Sequence, residues 1–415
     1  MRYLIAIALG CLSAASPAMA SGDADALMLA DLATATPVSH SDWQAAFEFA
    51  AGNYSPVSQT NNVELNDNAR VSASVDYNGK LASDWHAVLS NRVDAGWRSP
   101  SGQYNIVDTL KQAYLSWQPS QAVIVDAGRI NLREGVATGF NPTDFFKTNA
   151  IRSVVSIDPT SLRENRQGSV MLRSQLLWAG GSMSALVSPP LQNNPSDAPF
   201  NPDFGATNQN FRYMLSGTQR LVGEFAPQWL LYGGAGIAPQ VGVNLTTLLG
   251  DSTVGFVEYA GGRSSELADP SQPASFHSKL ATGLTHTFPN KLSVTLEYDY
   301  DGTSADRATW DVLDSDPEHY WQYRNTAASA QELTTRQSLF LYASWQDAFV
   351  RHLDLSAMAR FDLVDHSCFT WLETRYHWPR IDLALQWQTN HGASYSNYGA
   401  QTQSQIVQAL ITFYY

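Results

Sequence analysis

One connecting segment of this sequence gathers both signs of charge among apolar residues. It spans 132–167 and sets Arg133, Lys147, Arg152, Arg163 and Arg166 against Glu134, Asp144, Asp158 and Glu164. Between them lie Val136, Phe140, Phe145, Phe146, Ile151, Val154, Val155 and Ile157. Guanidinium, ammonium and carboxylate groups beside a narrow aqueous path act on passing ions and polar solutes by charge and hydrogen bonding, without making bonds. A second cluster, Asp306, Asp311, Asp314, Asp316 and Glu318 in segment 302–335, lacks the spacing of an EF-hand loop and reads as a solvated acidic loop. Signatures of covalent or metal catalysis are missing: there is no G-x-S-x-G elbow, no H-E-x-x-H helix and no Walker loop. Gly233-Gly234-Ala235-Gly236 falls inside a strand pattern, where small residues permit close packing or a bulge. No catalytic residue, metal site or cofactor is therefore expected.

The elements that would position these charges show a period of two. Trp85, Ala87, Leu89, Val93, Ala95 and Trp97 alternate with Asp84, His86, Ser90, Arg92 and Asp94. The same alternation runs through Leu292 to Tyr300, Leu353 to Leu363 and Ile381 to Trp387. Successive side chains of a strand point to opposite faces, so each stretch has one apolar and one polar wall. Strands of nine to eleven residues or more, repeated along the chain, match tilted membrane crossings of a closed barrel. Eighteen strands are expected between residues 42 and 415, with sixteen as the alternative count and ambiguous register near 176–188 and 239–261. Short turns such as 78–80, 119–121, 289–291 and 378–380 oppose longer connections at 54–68, 132–167, 189–207, 262–274, 302–335 and 390–403. The fold class is all-β, a transmembrane antiparallel β-barrel.

Composition agrees with that class. Charged residues make up 15% and aromatic residues 11%, whereas soluble proteins average about 25% charged. The net charge of −13 argues against a nucleic-acid partner. Arg2, the apolar run Tyr3 to Leu12 and Ala18-Met19-Ala20 form the pattern of a cleaved secretory signal, so 1–20 is expected to be a signal peptide. Residues 21–41 would be a short periplasmic segment and 42–415 the barrel. Cys368 is the one cysteine left after such cleavage, which excludes an intramolecular disulfide.

Val407, Ala409, Ile411, Phe413 and Tyr415 occupy alternate positions of the final stretch, which ends on an aromatic residue. In this the sequence resembles Gram-negative outer-membrane proteins, in which such a strand is read by the barrel-assembly machinery. That resemblance implies an outer-membrane location with lipid and lipopolysaccharide as neighbours, makes Phe413 and Tyr415 the assembly signal, and leaves a homo-oligomer open. A long early loop of mixed character also resembles the third loop of porins, which folds into the lumen. It implies constriction by Arg133, Glu134, Asp144, Lys147 and Arg152. Strand parity places Arg70, Arg92, Asp94, Arg173, Arg212, Glu297, Arg360, Asp362, Glu373 and Arg375 on the lumen wall. The expected function is passive diffusion of small hydrophilic solutes. The stretch Gly128-Arg129 through Phe140-Asn141-Pro142-Thr143-Asp144 is similar to polysaccharide-export barrels, so export of a surface polymer is the alternative, with a barrel-borne hydrolase third.

Overall fold

The computed structural model describes residues 41–56, 66–99, 103–191, 196, 198–223 and 225–415. The expected signal peptide and nearly all of segment 21–41 lie outside these residues. The described chain forms β1 (Trp43–Pro56), β2 (Asn66–Ala82), β3 (Trp85–Arg98), β4 (Gln103–Ser120), β5 (Val123–Ile130), β6 (Ser169–Trp178), β7 (Gly181–Ser188), β8 (Arg212–Gln219) and β9 (Gln228–Gly234). It continues through β10 (Ile237–Leu248), β11 (Thr253–Ser264), β12 (Ser275–Thr287), β13 (Leu292–Asp301), β14 (Gln337–Trp345), β15 (Leu353–Asp362), β16 (Cys368–His377), β17 (Ile381–His391) and β18 (Gln403–Tyr414). All eighteen belong to one antiparallel sheet, and β18 pairs with β1 from Ala46 opposite Tyr414 to Pro56 opposite Gln403. The sheet therefore closes on itself, the arrangement that leaves no unpaired backbone edge in lipid.

Register explains the alternation. Leu296 of β13 lies opposite Leu341 of β14, both exposed on the outer face, while Glu297 beside it lies opposite Phe340, both fully buried on the inner face. The next strand continues the inner row with Arg360 opposite Phe340. Outer aromatics concentrate at the short-turn end: Trp43 on Tyr77 (4.6 Å between rings), Trp85 on Trp117 (6.0 Å), Trp345 on Phe349 (5.1 Å) and Tyr376 on Trp378 (4.5 Å). Such a girdle marks the level where a barrel wall passes from hydrocarbon to the membrane interface.

Two places depart from the sequence reading. The glycine tract is a tight hairpin, with β9 ending at Gly234 and Gly236 at φ 72° making the turn. Positive φ there suits a residue without Cβ. The inner face of β11 carries Phe256 and Ala260 as well as Glu258, so the polar wall is broken by apolar residues and the period of two blurs.

Segment 302–335 is not a solvated loop. It holds two helices, α2 (Arg307–Asp314) and α3 (Pro317–Ala330), behind α1 (Pro159–Glu164) in chain order. Asp306 caps α2 by accepting the Thr309 N–H at 2.9 Å, and Asp316 caps α3 through the His319 N–H at 3.4 Å, with Pro317 in the first turn. Trp310, Leu313, Tyr320 and Tyr323 bury themselves against Ala400, with Leu267, Ala268 and Val364 at the edge. This roof is tied down by Asp362, whose carboxylate accepts from Thr335 Oγ1 at 2.6 Å and Asn397 Nδ2 at 3.0 Å.

Candidate functional site

Segment 131–168 leaves the end of β5 and lies inside the barrel, held by wall carboxylates. Glu258 of β11 accepts the N–H groups of Val136 (2.9 Å), Ala137 (3.1 Å) and Thr143 (2.8 Å), together with the Thr143 hydroxyl (2.8 Å). Glu297 of β13 accepts those of Thr138 (2.9 Å), Gly139 (3.1 Å) and Phe140 (2.8 Å). Hydrogen bonds of this kind contribute about 0.5–1.5 kcal/mol each, and leaving a buried donor unpaired costs more. Gly135 makes the approach possible, because its φ is 103° and a Cβ would stand 2.6 Å from the Glu258 carboxylate. Arg360 Nη2 donates to the Gly139 carbonyl at 3.0 Å, and Tyr342 OH donates to Asp158 at 2.8 Å.

Apolar residues complete the seating. Phe140 packs on Phe256 and Ala281, and Phe145 stacks on Tyr232 at 4.6 Å with 3° between planes. Phe146 joins Ile130, Leu132, Met171, Leu186, Met214 and Leu230 in a core inside the barrel. Ile157 rests on the cluster of Phe340, Met358 and Trp371. The loop thus fills the lumen along the arc from β5 to β16.

The loop charges divide by position. Asp144 is buried and takes a two-pronged ion pair from Arg166 at 2.7 and 3.1 Å. Lys147 is buried over the Phe140 ring and paired with Glu332 at 3.2 Å. These two hold the loop together and face no open path. Arg152 pairs with Asp203 at 2.8 Å along the edge of a cavity, and the half-buried Arg133 meets Glu164 at 3.4 Å. Glu134 accepts from Gln228 Nε2 at 2.9 Å, and burial pushes its carboxyl up to about 7. Such a group is neutral in mild acid and anionic in mild base. Raising the pH from about 5.5 to about 8.5 is therefore expected to add negative charge inside the barrel on the β9 side, and to shift ion preference only slightly toward cations. Reversal potentials across that range check this, and Glu134→Gln should flatten the dependence.

Opposite the loop the wall stays open. Glu48 of β1 accepts from Arg70 at 2.5 Å and from Arg92 at 3.0 Å, and Arg92 Nε donates to Asp94 at 2.8 Å. Elsewhere on the inner wall, away from that cavity, Arg173 pairs with Asp126 at 2.8 Å, and Arg375 with Glu373 at 2.8 Å and Asp382 at 3.7 Å. Arg212 lies over the Phe146 ring at 4.5 Å, beneath the loop. Arg360 and Glu297 serve the loop, and Asp362 the roof. A cavity of about 900 Å³ runs between loop residues 152–157 and the wall of β17, β18 and β1 to β4. Sequence reasoning overlooked Glu48 and Glu258. Parity with the outward Phe47 and Phe49 would have placed Glu48 inward, while the apolar inner face of β11 hid Glu258.

A closed barrel with an apolar outer wall, a polar inner wall and an infolded loop defines a transmembrane β-barrel of porin architecture. No protein-family model matches the sequence. No curated protein matches it either. Among solved structures it is similar to Pseudomonas aeruginosa OccK2 (OpdF), determined in complex with glucuronate, at TM-score 0.54 and 11% identity over 90% of this chain and 96% of that one. Acinetobacter baumannii OccAB1 gives TM-score 0.55 and 9% identity over 90% and 96%. The Pseudomonas aeruginosa outer membrane protein opdK gives TM-score 0.52 and 9% identity over 90% and 99%. At such identities the likeness is one of fold.

Proposed function

We propose that this protein is an outer-membrane channel of a Gram-negative cell, through which small hydrophilic solutes diffuse passively along the barrel lumen. The observation that carries this reading is the polar cavity between loop residues 152–157 and the inner wall of β17, β18 and β1 to β4. A barrel of this strand number encloses an aqueous space unless something plugs it. Here the loop narrows the lumen while its cohesion comes from bonds on the opposite arc, so one side is left for water and solute. The outer apolar wall and its aromatic girdle fit lipid, and the fold is shared with an outer membrane protein. On this reading β18, with Phe413 and Tyr415, is the segment presented to the barrel-assembly machinery.

Among the described residues the charges of the open wall stand in pairs of opposite sign rather than in a ring of one sign. The purified protein in planar bilayers is accordingly expected to conduct both K⁺ and Cl⁻ with modest preference. A sealed bilayer, or ideal selectivity for one ion, contradicts the proposal.

A further inference from the structure

Resting on the channel reading, we propose that the open path selects neutral polyhydroxylated solutes, such as small saccharides, over charged solutes of the same size. The lining supplies the argument. Six carboxamide side chains border the cavity: Asn68 and Asn105 on β2 and β4, Gln386 and Gln388 on β17, and Gln403 and Gln408 on β18. A carboxamide carries both a donor and an acceptor, which matches a sugar hydroxyl, itself donor and acceptor. A carboxylate solute needs donors alone, and an ammonium solute needs acceptors alone.

Two of these amides, Gln386 and Gln408, are oriented rather than loose. Gln408 Nε2 donates to Gln386 Oε1 at 2.5 Å, and Gln386 Nε2 donates in turn to Glu373. That relay leaves the Gln408 carbonyl oxygen available to a solute hydroxyl. Fixed dipoles of this kind lose little freedom when a solute binds.

Charge on the same stretch is compensated locally. Arg70 and Arg92 stand against Glu48 and Asp94 within 3.0 Å, and Thr412 supplies Glu48 with a further donor at 3.3 Å. Arg152, on the loop side, is neutralised by Asp203. The remaining charged residue of the lining, Arg98, is exposed at the end of β3. A charged solute entering this stretch loses water and meets no uncompensated partner, whereas a neutral polyol exchanges water for amides.

Flux of glucose, glucuronate and glucosamine into proteoliposomes at low ionic strength tests the inference, since the three share a pyranose ring and differ in charge. Glucose is expected to enter faster than either by about threefold. Glu48→Gln leaves Arg70 and Arg92 with less compensation, and should raise the glucuronate-to-glucose ratio by about threefold. Arg92→Gln should raise the glucosamine-to-glucose ratio instead. Heat-modifiable migration on gels verifies that each variant is a folded barrel. A charged hexose that enters wild-type liposomes as fast as glucose, or ratios that neither variant moves, overturns the inference while KCl conductance leaves the channel reading standing. Absence of KCl conductance and of all three fluxes sinks both together.

Discussion

Replacing Glu258 and Glu297 together with alanine is expected to raise single-channel conductance by about twofold or more, with frequent current steps as the freed loop moves. Six backbone N–H groups of residues 136–143 end on these two carboxylates. Each buried N–H left without a partner costs about 1–3 kcal/mol, which exceeds what the loop's remaining anchors can offset at residues 136–140. The barrel itself should survive, because its wall is held by backbone hydrogen bonds between strands, which replacing the two side chains leaves in place. Glutamine at both positions keeps one acceptor oxygen on each side chain and should give a smaller rise. Unchanged conductance in the folded double variant means that the loop is held by its apolar contacts and by Arg360, Tyr342 and Glu332 rather than by these two carboxylates.

A larger effect is expected from removing residues 403–415. Strand β18 is paired with β1 on one side and β17 on the other, and Tyr415 exchanges both backbone hydrogen bonds with Ala45, at 2.9 and 3.2 Å. Without it, two strand edges face hydrocarbon, where each unsatisfied backbone group costs several kcal/mol. The truncated chain should give no heat-modifiable band in outer-membrane fractions. A normal band would show that β17 and β1 close the barrel between themselves.

Much of this fold is legible in the sequence because a barrel strand writes its geometry into every second residue. Alternation placed all eighteen strands, and boundaries slipped most where the signal is weakest. The β9 to β10 turn is two residues of Ala and Gly, which carry neither polarity nor bulk, so the strand pattern reads straight through it. Helices α2 and α3 were missed, although Asp306 and Asp316 as caps and the spacing of Tyr320, Tyr323, Arg324 and Ala327 carry a helical signal. The density of carboxylates masked that signal. For the site, parity places Arg70, Arg92, Asp94, Arg173, Glu373 and Arg375 on the inner face. It cannot say which inner residues remain open, because that depends on how the loop packs. Asp144 and Lys147 illustrate the limit: their charges suit a constriction, yet Asp144 is consumed in the loop's own fold and Lys147 in tying the loop to Glu332.

On the proposed reading, solutes pass between loop residues 152–157 and the wall of β17, β18 and β1 to β4. Modification of Gln388→Cys by a small charged methanethiosulfonate reagent, in a Cys368→Ser background during single-channel recording, tests it most directly. Gln388 faces the cavity, whereas Leu385 on the same strand faces outward and serves as the control position. Conductance is expected to fall by about a third or more as Gln388→Cys is modified, and to stay constant for Leu385→Cys. Complete modification at position 388 with no change in current would place the path elsewhere and contradict the account.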